Sequence, residues 1–112
     1  MLIIQKGFLH ILKIEEEMTI KNNEQFKLYM TRLLTEAGRF LILELDQVSY
    51  LNSSALGIIA DTAMKARKSE QELVIAGVKP PIDEIFKIVK FETFMRLFSN
   101  IEEAENYFSK IE

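Results

Sequence analysis

Two adjacent serines, Ser53 and Ser54, stand where an apolar run gives way to an apolar, helix-like stretch: Leu45-Asp46-Gln47-Val48-Ser49-Tyr50-Leu51-Asn52-Ser53-Ser54-Ala55-Leu56-Gly57. Hydroxyls at such a junction lie beside N–H groups that the first helical turn leaves without intrahelical acceptors, at the positive end of the helix dipole. A serine there can cap the helix as it stands, and Asn52 can do the same through its side-chain oxygen. A phosphorylated serine would rest its phosphate on the same donors. The chemistry that fits this spacing is the addition of charge to a surface, not bond-making by the chain itself.

Other catalytic constellations are not assembled. His10 is the one histidine of the chain and falls inside an apolar, strand-like run. Ser53 and Ser54 sit at a strand-to-helix turn, but the flanking residues do not read G-x-S-x-G and no Asp-then-His pair follows. None of the four glycines stands in a phosphate-cradling pattern. Glu15-Glu16-Glu17 reads as a solvated turn rather than a metal site, which would need ligands at defined spacing. There is no cysteine, so disulfides, thiolate catalysis and Cys-ligated metals are excluded. No catalytic residue, cofactor or metal is therefore expected. A net charge of −3 without any Lys/Arg block argues against nucleic acid as a partner. The apolar N-terminal run is too short to span a bilayer and lacks the features of a signal peptide, so no direct membrane insertion and a cytoplasmic location are expected.

The elements that must position the serines follow from periodicity. Leu2–Lys6 and Phe8–Glu15 read as two strands around Gly7, a hairpin at one sheet edge. Asn22 or Asn23 opens a helix whose apolar face is Phe26, Tyr29, Met30, Leu33, Leu34 and Ala37, closed by Gly38. Phe40–Leu45 is apolar nearly throughout, as a strand covered on both faces would be. Ser54–Lys68 is a second helix with Ala55, Leu56, Ile59, Ala63 and Ala66 in its apolar set. Leu73–Gly77 is another buried strand. Pro80-Pro81 leads into a short helix carrying Ile82, Ile85, Phe86 and Val89. Arg96–Phe98 reads as a last short strand, and Glu102–Ile111 as a closing helix with Ala104, Tyr107, Phe108 and Ile111 inward. The order β-β-α-β-α-β-α-β-α predicts an α/β domain over residues 1–112, a mixed, mostly parallel sheet of four to five strands packed against about four helices. Phe91, Phe94 and Met95 are too close together for all to face inward from one short connection.

These residues together resemble the STAS domain, and within it the bacterial anti-sigma factor antagonists. The resemblance is carried by Leu43-Glu44-Leu45-Asp46, a short link, and Asn52-Ser53-Ser54-Ala55-Leu56-Gly57, by the Glu72–Gly77 strand with Val78-Lys79-Pro80-Pro81, and by Phe98-Ser99-Asn100-Ile101-Glu102-Glu103-Ala104. It covers essentially residues 1–112. It implies a regulator of transcription that captures a partner anti-sigma factor. That partner is also a serine kinase of GHKL type, and a phosphatase reverses its action. The resemblance places the phosphorylated serine at Ser53, with Ser54 as the runner-up, and the partner surface over Asn52, Ser53, Ser54, Ala55, Glu17, Thr19 and Asp61. Two aspartates of the family's pattern are neutral here, Asn52 before the serine and Thr19 in the earlier turn. Their loss motivates the alternative of a non-phosphorylated STAS adaptor subunit in a membrane lipid-transport or sensory complex. A third reading, a small hydrolytic or ligand-binding α/β domain using Ser53 or Ser54, rests on the serine pair alone.

Overall fold

The computed structural model describes residues 1–36 and 38–111. The chain begins with an antiparallel hairpin, β1 (Leu2–Lys6) and β2 (Leu9–Lys13), in register Leu2 with Lys13 and Lys6 with Leu9. Gly7, at φ +60°, is the first residue of the two-residue turn, where the backbone must take a left-handed conformation. The second strand thus starts at Leu9, because Phe8 belongs to the turn.

Three parallel steps follow, each made through a helix. α1 (Asn23–Glu36) joins β2 to β3 (Phe40–Glu44), α2 (Ser53–Lys68) joins β3 to β4 (Glu72–Ala76), and α3 (Ile82–Ile88) with a 3-10 turn (Phe91–Thr93) leads to β5 (Leu97–Phe98). The sheet order is β1-β2-β3-β4-β5, the order of the sequence. α4 (Ile101–Ile111) closes the fold.

Strand alternation divides the core. Leu12, Leu41, Leu43, Leu73 and Ile75 face a large cluster with Phe26 and Met30 of α1, Ile59 of α2 and Phe86 of α3. Their neighbours Leu9, Ile11, Phe40, Ile42, Val74 and Ala76 face Ala104 and Phe108 of α4. Phe108 stacks on Phe40 with ring centroids 4.7 Å apart. This two-sided burial explains why β3 and β4 read as continuous apolar runs.

Several boundaries differ from the sequence reading. α2 starts at Ser53, one residue earlier than expected, because Asn52 takes the cap position. Val89 lies beyond α3 and Ile111 ends α4, and both are exposed, not inward. Of the crowded aromatic connection, Phe91 and Met95 are buried while Phe94 is half-buried. Ala37, the last apolar position expected on α1, lies outside the described residues.

Candidate functional site

The segment between β3 and α2 is held at both ends before it presents its serines. Leu45 donates its N–H to the Ala76 carbonyl at 2.8 Å, and Val48 donates to Leu45 at 3.0 Å, closing the Asp46–Gln47 turn. Val48 and Leu51 then bury their side chains in the core, as does Met18. Met18 and Leu51 pair as an isolated parallel bridge: the Met18 N–H donates to Tyr50 and the Asn52 N–H to Met18, both at 3.1 Å. Glu17 adds a latch, accepting the Ser49 N–H at 2.9 Å and the Ser49 hydroxyl as well. Those bonds to Ser49 hold the Glu17 carboxyl below its ordinary pKa.

Gly77 sits immediately behind this segment. It is buried at φ +84°, and a Cβ built on it would lie 2.5 Å from the Asp46 backbone nitrogen. Only glycine permits both the backbone conformation and so close an approach. Lys79, two residues on, pairs with the Asp46 carboxylate.

Asn52 then starts the helix. At φ −82° and ψ 171° it has the extended conformation of an N-cap, its Oδ1 accepting the Ala55 N–H at 2.9 Å and its carbonyl the Leu56 N–H at 3.2 Å. The same side chain makes a reciprocal pair with Asn23 at the start of α1. Asn52 Nδ2 donates to Asn23 Oδ1 at 2.8 Å, and Asn23 Nδ2 donates back at 3.2 Å. Two helix N-termini are tied together by two amides.

Ser53 and Ser54 occupy the first two helical positions, and both are exposed. Among the described residues, neither their N–H groups nor their hydroxyls have a hydrogen-bond partner within the protein. Ser54 borders a shallow groove of about 620 Å³ between α1 and α2, along with Ile20, Glu24, Lys27, Gly57 and Asp61. Ile20 is 86% exposed, an isoleucine held in solvent beside the serines.

Of the expected surface residues, Ser54 and Asp61 border the same groove, Asn52 and Ser53 precede Ser54 along the chain, and Thr19 follows Met18, which bridges to Leu51. Thr19 is half-buried, its N–H donating to Asn22 Oδ1 at 2.9 Å and its Oγ1 accepting the Lys21 N–H at 3.2 Å. Asp61 is two turns along α2, paired with Lys65 at 2.9 Å on the open face. Ala55, expected on the partner surface, is fully buried and packs into the core, so its side chain is not available to a partner. Glu17 is exposed, but both of its oxygens are engaged by Ser49. Ser53, considered as a cap, is instead the residue after the cap. His10 lies away from this surface, half-buried beside Ile3, Arg32 and Glu36. Among the described residues no group of three or more His, Cys, Asp or Glu side chains could hold a metal ion. Sequence reasoning missed Asn23 as the partner of Asn52, Ser49 as the ligand of Glu17, and Ile20. Only Asn23 left a signal, as a candidate cap for α1.

Comparison with known proteins agrees with this fold. The STAS domain family model matches residues 2–104. The candidate anti-sigma factor antagonist BtrV of Bordetella bronchiseptica is 26% identical over 83 residues, covering 74% of this chain and 72% of that protein. The anti-sigma-B factor antagonist of Staphylococcus aureus is 24% identical over 90 residues, covering 80% and 83%. Among solved structures, an anti-sigma factor antagonist from Mycobacterium paratuberculosis superposes with a TM-score of 0.88 at 16% identity, over 95% of this chain and 90% of the other. The Bacillus cell fate determinant SpoIIAA in its phosphorylated form superposes with a TM-score of 0.72 at 15% identity, over 96% and 97%. At these identities the structural likeness establishes the shared fold.

Proposed function

Because the chain belongs to the STAS domain family, we propose that it works as an anti-sigma factor antagonist, capturing an anti-sigma factor over the start of α2 and releasing it when Ser53 is phosphorylated. The observation that carries this reading is the exposed first turn of α2, where Asn52 already supplies the cap. Ser53 is therefore free to be modified without loss of a structural bond. Its relatives named as anti-sigma factor antagonists support the binding role, and the phosphorylated state of SpoIIAA supports a switch on this fold.

The mechanism is electrostatic and requires no catalysis by the domain. A phosphoserine adds about −1.5 to −2 charges at pH 7. At this position it meets the unpartnered N–H groups of Ser53 and Ser54 and the positive end of α2, which the fold tolerates well. A partner docked over Ser54, Ile20 and Asp61 would have to desolvate that phosphate or pair it, and a surface matched to a neutral serine does neither. The fold is preserved while the complex is lost. The writer of the phosphate is a GHKL-type serine kinase, the anti-sigma factor itself, and a phosphatase removes it. The setting is the cytoplasm, where sigma factors act.

Affinity capture from the native host tests the reading. Ser53→Ala should retain the anti-sigma factor, and Ser53→Asp should lose it, with both variants folded by circular dichroism. Equal retention by both variants would overturn the switch and favour a constitutive STAS subunit. Absence of any anti-sigma factor from every capture would overturn the antagonist role itself.

A further inference from the structure

The two edges of the sheet are unlike. β5 has two residues, both half-buried, and is too short to template another strand. β1 is the outer strand on the other side, five residues long and paired only with β2. That pairing runs without a break from Leu2–Lys13 to Lys6–Leu9, so no bulge twists the edge away. The strand holds no proline and no charged side chain before Lys6, whose ammonium is drawn to Glu105 of α4 at 3.0 Å. The devices that blunt a free edge are therefore missing along Leu2–Gln5.

Parity decides which backbone groups of β1 face outward. Ile14 donates its N–H to the Glu44 carbonyl at 3.1 Å, so His10 and Leu12, at even spacing before it, turn their peptide groups toward β3. Leu9, Ile11 and Lys13 turn theirs toward β1, where they meet Lys6, Ile4 and Leu2. The intervening Ile3 and Gln5 point N–H and C=O away from the sheet. Among the described residues these groups have no backbone partner. The Leu2 and Ile4 side chains share the side of Leu9 and Ile11, the face on which α4 packs. They are nevertheless 50% and 37% exposed, because α4 packs mainly on β3 and β4.

This edge is complementary to itself. In an antiparallel pairing centred on Ile4, Ile3 of each copy stands opposite Gln5 of the other, and each such pair exchanges both of its bonds. Every outward N–H and C=O of Ile3 and Gln5 is then satisfied by a single two-fold contact. Ile4 faces Ile4 at the axis in a close, non-bonded pair, Leu2 lies along the methylenes of Lys6, and no like charges meet. We infer that β1 pairs with the β1 of a second copy of this chain, joining two sheets into one in a closed dimer. The axis reverses strand direction between the copies, so their Ser53 surfaces lie at opposite ends of the joined sheet. The pairing depends neither on Ser53 nor on the partner docked there.

Sedimentation equilibrium of the full chain, with amide hydrogen exchange by NMR, tests the inference. A reversible rise from one chain to two is expected at concentrations up to about 1 mM, the range of weak association. The Ile3 and Gln5 amides should become protected as the dimer fills. Ile4→Lys, which sets two charges against each other at the axis, should weaken the dimer about tenfold or more. Gln5→Pro removes an outward N–H and none of the bonds to β2, and should weaken it as well. Leu28→Lys, a change at an exposed apolar residue of α1, should leave it intact. A single-chain mass at every concentration, growth beyond two chains, a dimer indifferent to both Ile4→Lys and Gln5→Pro, or unprotected Ile3 and Gln5 amides in the dimer would each overturn the inference.

Discussion

Asn52 uses both ends of its amide, and this decides what substitutions at the serine junction should do. Its oxygen caps α2 and its nitrogen reaches Asn23, whereas the Ser53 side chain makes no bond within the described residues. Asn52→Ala should therefore lower stability to urea by about 1 kcal/mol or somewhat more, since a cap and an inter-helix pair are both lost. Ser53→Ala should stay within about 0.5 kcal/mol of wild type, as surface changes away from caps do. Asn23→Ala combined with Asn52→Ala should cost less than the sum of the single changes, because the second change removes a bond already broken. Glu17 gives a pH signature. Its folded pKa is depressed, first by the Ser49 hydroxyl and then by the Ser49 N–H, below the ordinary value of 4.5. The latch is thus fully present above that ordinary value and is lost as pH falls through the lower folded pKa. The Ser49 amide resonance should move with that titration, and Glu17→Gln should abolish the movement. A Ser49 resonance indifferent to acid would remove the latch from the account.

At the scale of elements, two glycines on either side of the junction act in opposite directions. Gly77 packs its backbone against Asp46 in the left-handed region, so Gly77→Ala combines strain with a clash against main-chain atoms. A loss of about 1–3 kcal/mol in chemical denaturation is expected, with the Asp46–Asn52 segment displaced. Gly57 lies inside α2 with nothing within 4 Å of where its Cβ would stand. Gly57→Ala should raise stability by about 0.8–1 kcal/mol through helix propensity. Because Gly57 borders the groove beside Ser54, the same methyl should weaken partner binding in the capture experiment. The sequence made α1, α2 and the buried strands legible because their apolar spacings are long and regular. It located the serine turn but not the cap, since Asn and Ser are near-equal caps and only the backbone at Asn52 separates them. The Asn23–Asn52 and Glu17–Ser49 pairs join residues 29 and 32 positions apart, a separation on which local spacing carries no information. Ala55 illustrates the converse: its place in a recognisable motif suggested contact with a partner, yet its position on the helix faces the core.

For the whole molecule, the sheet separates two duties. α1, α2 and α3 cover one face, with the groove beside Ser54 between α1 and α2, while among the described residues α4 covers the other face through Ala104 and Phe108. Among the described residues, no helix is long and apolar enough to cross a membrane. On the proposed reading, a phosphate at the start of α2 acts on a docked partner and not on the shape of the fold. Both neutral positions, Asn52 and Thr19, are committed to bonds within the fold, while Ser53 is exposed. The measurement that bears most directly on the account is intact-protein mass spectrometry with fragmentation, on the chain purified from its native host during growth and during stress. The account predicts one phosphate, on Ser53, whose occupancy changes with condition and is absent from molecules that co-purify with the anti-sigma factor. A chain that carries no phosphate on Ser53 in either condition, while a stable partner stays bound throughout, would contradict it.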